Sequence, residues 1–331
     1  MTSPQPVTDL MWAHWKTKTM LSAVELGVFT ELAKEPLTGP ELRDRLGLHP
    51  RPAADFFDAL VALDLLHRND AVYANAPEAA EYLDANRPTT YLGDSFVTQC
   101  AGLADDLTTV LRTGEAALGA RDGRDFYASM YAADDSVRAF QRDMTALSMG
   151  SAQAIADKFP WQGYRSLADI GCAEGALPGH VLLRHPHLTA TGFDLPPARE
   201  GFREYTERLG VADRTVFQEG DFFRDPLPSA DVLVLGHVLH NWGREEKLRL
   251  LRAAYEALPE GGAVLVYETL IDDDRRSNAV GLILSLIMHA EVPGGFDYTG
   301  ADCQEWLRET GFGRTWVEHL DGPESMVVGI K

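Results

Sequence analysis

Apolar residues recur at helical spacing from Leu10 to Leu32, so the chain is predicted to open on helix. LTGPELRDRLGL reads as a second helix, with Thr38 as N-cap, Pro40 inside the first turn and Gly47 near the end. Pro52 to Leu66 predicts a third, and HRNDAVYANA a hairpin wing turning at Asn69–Asp70. Residues 91 to 160 continue as helix, rich in aromatic side chains. From residue 161 the pattern changes. The short apolar runs LADIG, TATGFD, RTVFQEG, DVLVLG and GGAVLVYE are separated by helical stretches, and TWVEHL and SMVVGIK close as a hairpin. Apolar runs alternating with helices predict a doubly wound parallel sheet with an antiparallel final pair. The expected fold class is α/β: a C-terminal Rossmann-like doubly wound sheet behind an N-terminal, mostly α, winged-helix domain. The expected boundaries are 1–95 for the winged helix, 96–155 for a helical linker with pocket helices, and 156–331 for the α/β domain.

Charge narrows the function. Fifty acidic against thirty basic side chains give a net charge of −20, which repels phosphate backbones and anionic membranes. The segment in the place of a DNA-recognition helix, RPAADFFDALVALDLL, carries one Arg and three Asp, so no nucleic-acid partner is expected. The longest apolar run, Val280 to Met288, is too short to span a bilayer, so no membrane association is expected either. The N-terminus has no apolar core of signal-peptide type. The three cysteines, Cys100, Cys172 and Cys303, are widely spaced and odd in number, which suits a cytoplasmic protein.

The residues with chemistry cluster at strand ends. LADIGCAEGA reads as a strand, a glycine turn and a helix, and Asp194 ends the next strand: a nucleotide-binding βαβ pattern with an acidic ribose hook. Gly171 and Gly175 would let the backbone approach a ligand without a Cβ in the way. Asp169 can orient the loop or meet a cationic group, and Asp194, followed by Leu195, can accept from both hydroxyls of a 2′,3′-diol. Two glycines four apart, under a negative field, suit a pyrophosphate poorly. Glu174 is expected to face solvent, with pairing to a ligand's ammonium as the alternative.

The ordered series LADIGCAEGA, TATGFD, GDFF, DVLVLGHVLHNW, PEGGAVLVYE and PGGFDYTGADC resembles class I S-adenosylmethionine-dependent methyltransferases. More narrowly, it resembles the small-molecule O-methyltransferases of the plant phenolic, acetylserotonin and bacterial natural-product type, over nearly the whole chain. The resemblance implies S-adenosylmethionine as cofactor, a homodimer built through the N-terminal domain, and an aromatic hydroxyl as acceptor. It implies His240 as general base, Glu268 as the carboxylate that holds its imidazole, and Asp297 as a second flanking acid. It places Asp221 and Phe222 against adenine, and Gly236 and His237 beside the cofactor. Some of Phe126, Tyr127, Tyr131, Phe140, Met144 and Met149 would line the acceptor pocket, with Met288 and His289. Three positions depart from the family pattern: Asn241 replaces the usual Asp after the base, and Ile287 and His289 replace an amide and an aliphatic residue.

Two other readings compete. His240 and His289, with Asp297 or Glu291, would give a divalent-metal site for C-methylation of an α-keto acid. A protein that retains the fold without methylating is the third.

Overall fold

The computed structural model describes residues 5–87, 90–99, 103–116, 131 and 134–331. The chain divides into two compact units, Met1–Ala101 and Gly102–Lys331.

In the first unit, α1 spans Gln5–Glu25 and α2 Val28–Leu32. The predicted helix through Leu32 breaks at Gly27, whose φ of 71° is the left-handed region a glycine takes freely. A short strand β1 (Leu37–Thr38) leads into α3 (Gly39–Arg45), which opens on a capping box between Thr38 and Glu41. Helix α4 runs Pro50–Ala62 and stops short of the expected Leu66. Asp64 turns left-handed at φ 57°, and the Leu65 and Asp64 amides donate back to Leu60 and Val61, a Schellman end. Leu66 is thereby released into β2 (Leu66–Asn69), which pairs antiparallel with β3 (Val72–Asn75). With β1 on its other side, β3 centres a three-stranded sheet. Helices α5 (Pro77–Tyr82) and α6 (Gly93–Gln99) follow. Phe29, Leu42, Phe57, Leu60 and Leu66 form the core.

The second unit begins with α7 (Leu103–Thr113) and the long α8 (Asp134–Lys158). Strand β4 (Ser166–Ile170), α9 (Ala176–Arg184), β5 (Thr189–Asp194), α10 (Arg199–Arg208) and β6 (Thr215–Glu219) make the first half of the sheet. Strand β7 (Val232–Gly236), α11 (Arg244–Ala257), β8 (Ala263–Glu268), α12 (Ala279–Glu291), α13 (Gly300–Glu309), β9 (Arg314–His319) and β10 (Ser325–Ile330) complete it. The seven-stranded order is β6-β5-β4-β7-β8-β10-β9, parallel except where β10 joins antiparallel to β8 and β9.

The apolar runs have a direct cause. Strands β4, β7 and β8 are buried on both faces, so successive residues enter opposite cores. Ile170, Leu233, Leu235, Val264 and Val266 pack on one side. Leu167, Val232, Val234 and Leu265 pack on the other. The strand order reverses between β4 and β7, and a crevice opens there at the carboxyl ends.

Candidate active site

At that crevice lies a cavity of about 300 Å³. Its lining includes Asp169, Gly171, Asp194, Leu195, Asp221, Phe222, Gly236 and His237, so the structure gathers these strand-end residues around one space. Phe140 and Met144 of α8 line it too, as do Tyr131, Trp242 and Tyr267.

The turn after β4 is held by β5. The Gly171 amide donates to the Phe193 carbonyl at 2.8 Å, and the Ala173 amide to Asp194 Oδ2 at 2.9 Å. Asp194 Oδ1 accepts from the Leu195 amide at 2.7 Å. A side-chain hydrogen bond from Tyr131 adds to these two. Burial raises the Asp194 carboxyl to about 6 against the pull of these bonds. Burial and the neighbouring Asp194 push Asp169 to about 8. A bound cation would offset both costs. Asp221 is committed to its own turn: its Oδ1 accepts from the Phe223 amide at 2.8 Å, and Arg224 stands 3.3 Å from its Oδ2.

One expectation about this turn needs correction. Glu174 does not face solvent. It is 7 % exposed and accepts from Thr145 Oγ1 of α8 at 3.0 Å, so its carboxylate ties the turn to that helix. Gly175, at φ 81°, is not among the cavity residues. A Cβ there would stand 2.6 Å from the Phe202 ring of α10, so helix packing by itself already demands glycine. Gly171 is the one of the pair at the cavity, and its φ is 79°.

Beyond β7 the chain takes a strained turn. His237 has φ 51°, its amide donating to the Tyr267 carbonyl at 3.1 Å. Asn241 Nδ2 holds the His237 carbonyl at 2.9 Å, a role the sequence pattern did not give it. Gly236 is glycine because the Tyr267 ring covers it.

His240, Glu268 and Asp297 come together from three segments, outside the cavity lining themselves, although His240 adjoins Asn241 in sequence and Glu268 adjoins Tyr267, both of which line it. Imidazole Nδ1 of His240 lies 3.2 Å from Asp297 Oδ1 and 3.5 Å from Glu268 Oε2, and the His240 amide donates to Glu268 Oε1 at 3.3 Å. All three are buried. Burial by itself lowers the imidazole, but Glu268 and then Asp297 outweigh it and raise His240 to about 9. Burial raises Glu268 to about 7 although His240 opposes it. His237 sits beside this set, its Nδ1 3.6 Å from Glu268 Oε2 and its Nε2 3.6 Å from Glu324 Oε2, and burial lowers its pKa.

The remaining assignments separate. His289 is exposed on α12 and outside the cavity lining, while Met288 is buried and Met149 half-buried, both also outside it. Phe126 and Tyr127 lie outside the described residues. The two-histidine metal arrangement expected from His240 and His289 is not assembled. Among the described residues, the ligand-type atoms of His237, His240 and Glu268 lie within 4.8 Å of one another, but Nδ1 of His240 is already directed at Asp297.

Sequence reasoning also missed residues. Trp242 was legible as an aromatic inside HVLHNW, and it packs edge-on against Phe222 and Phe223. Lys247 gave no signal, because a lysine in a charged helix reads as solvent-facing. It is fully buried.

Comparison with known proteins gives a consistent result. Residues 105–313 match the O-methyltransferase domain family, and residues 8–85 the O-methyltransferase dimerisation domain. The chain is 41 % identical to the tetracenomycin polyketide synthesis 8-O-methyltransferase of Streptomyces glaucescens, over 99 % of this chain and 97 % of that one. It is 35 % identical to the N,N-dimethyltransferase OxyT of Streptomyces rimosus, over 98 % and 95 %. The crystal structure of human N-acetylserotonin methyltransferase with S-adenosylmethionine superposes with a TM-score of 0.88 at 24 % identity, covering 99 % of this chain and 97 % of that one.

Proposed function

The chain belongs to the O-methyltransferase family, dimerisation domain included, and from that premise we propose that it methylates an aromatic hydroxyl of a small natural-product intermediate, using S-adenosylmethionine and His240 as base. The observation that carries this reading is the buried imidazole of His240 with Nδ1 turned to Asp297 and Glu268. With Nδ1 directed at carboxylates, Nε2 is the atom left to take an acceptor's proton.

The cofactor fits the residues present. Asp194 offers a carboxylate to a ribose diol, Asp169 adds a buried carboxylate, and Phe222 and Trp242 offer ring surface for a purine. The bound cofactor supplies a methyl group on a cationic sulfonium. The protein's part is to align and deprotonate.

The dimerisation domain supports a homodimer. Val7, Leu10, Trp12 and Trp15 of α1 are more than half exposed, an apolar set that a second copy would cover. Among the described residues no helix is long and apolar enough to cross a membrane. The unpaired, buried thiols of Cys172 and Cys303 support a cytoplasmic location.

The test is His240→Ala against hydroxynaphthoate and polycyclic phenol probes, with aryl amines beside them. Turnover should fall ~10²-fold or more, with S-adenosylhomocysteine affinity near normal. In the wild type, kcat should rise with pH toward the raised imidazole pKa. An equal loss of cofactor binding would remove His240 from the base role. Methylation of the amines alone would move the acceptor from oxygen to nitrogen.

A further inference from the structure

Lys247 lies in the first turn of α11, with no exposed surface. Burying an ammonium costs several kcal/mol unless it is well satisfied. Its Nζ donates to the Trp242 carbonyl at 2.8 Å and to the Phe296 carbonyl at 2.9 Å. The Phe296 ring lies against it, 3.2 Å from nitrogen to centroid. Those two carbonyls are significant by position. Trp242 ends the short turn Leu239–Asn241 that holds His240, and Phe296 immediately precedes Asp297. One further bond joins the same segments, from the Phe296 amide to the His240 carbonyl at 2.8 Å.

We propose that Lys247 is a positioning residue of the methyl-transfer site: its nitrogen staples the His240 turn to the Asp297 segment and so fixes the contact between imidazole Nδ1 and carboxylate. The inference rests on the reading of His240 and Asp297 as a working pair. The segments lie 57 residues apart in the chain, the first following β7 and the second following α12. Without the staple, the bonds left between them are the backbone one from Phe296 to His240 and the imidazole–carboxylate contact itself.

The charged and titratable groups around Lys247 are Glu268 from β8, Asp297, and Asp302 and Cys303 from α13, with His240 facing it across the carboxylates. Burial pulls the amine down to about 7 while Glu268 and Asp297 hold it up. A neutral amine still has two N–H groups for the two carbonyls. The staple therefore does not require the charge, whereas any through-space effect on His240 does.

That difference gives the test, which uses full-length protein bound to S-adenosylhomocysteine and needs no acceptor. Lys247→Met keeps the length and apolar stem and removes the donors. Calorimetry should show S-adenosylhomocysteine affinity within about threefold of wild type. By nitrogen-15 histidine NMR, the His240 Nδ1 proton should exchange with water at least ~tenfold faster, and the imidazole should titrate lower as it drifts from its carboxylates. An unchanged Nδ1 proton and titration, with only a lower melting temperature, would reduce Lys247 to packing and overturn the proposal. An upward shift of the His240 titration would overturn it as well, because the lost cation and not the lost staple would then be what His240 senses. Lys247→Gln, which has two N–H groups on a shorter stem that reaches the carbonyls less well, should give an intermediate exchange rate and serves if the Met variant does not fold. Failure of every probe acceptor to be methylated would count against the proposed function and leave the NMR result standing.

Discussion

At the residue scale, the site works by placing carboxylates where water cannot screen them. Asp194 is the clearest case. Its carboxyl is raised to about 6 by burial, so its ionised, diol-accepting form is lost as pH falls below that value. S-adenosylhomocysteine should therefore bind more weakly as pH falls from 7 to 5. Asp194→Asn should cost ~10- to 100-fold in affinity at pH 7, the worth of a charge-assisted hydrogen bond, and should flatten the pH dependence. Calorimetry across pH decides it, and a pH dependence that survives in the variant would assign the effect elsewhere. Asp194 was legible from its place after TATGFD. The raised pKa was not, because it depends on Asp194 being 8 % exposed inside a folded crevice.

At the element scale, the glycine turn shows how packing and ligand binding divide one motif. Both glycines look alike in LADIGCAEGA. Only the fold shows that Gly171 borders the cavity while Gly175 makes room for Phe202 at the start of α9. Gly175→Ala combines a left-handed φ with a steric overlap, so it should lose about 1–3 kcal/mol of stability, read as a lower denaturant midpoint. An unchanged midpoint with weakened cofactor binding would favour the ligand-approach reading. Elements with a strong local signal were well placed: the Thr38 cap, the hairpin turn at Asp70, and all five parallel strands. The overrun of α4 came from reading Leu65 and Leu66 as helix periodicity, when a left-handed Asp64 ends the helix before them.

At the scale of the whole molecule, charge and exposed apolar surface point in different directions. The net charge of −20 suits a cationic ligand and disfavours self-association, yet α1 exposes Trp12 at 54 % and Trp15 at 64 %. If a second copy covers those side chains, Trp12→Glu with Trp15→Glu should convert a dimer to a monomer at micromolar concentration, as measured by sedimentation velocity. A wild-type monomer would end the homodimer reading. A dimer that persists in the variant would move the interface off this face.

The sequence by itself determined the order of helices and strands, the switch in periodicity near residue 161, and the place of Asp194 at a strand end, whereas roles for His240, Glu268 and Asp297 came only with the resemblance of the motif series to a family. Local patterns suffice for the elements and for Asp194, because burial on both sheet faces writes itself as apolar runs and ligand turns as glycine and aspartate. Only the tertiary structure decided that Glu174 is buried against Thr145, that His289 stands apart from His240, and that Lys247 lies beneath the active site. Each of those depends on segments far apart in the chain meeting across the fold. A charged residue bears the same letter whether it ends in water or against two carbonyl oxygens.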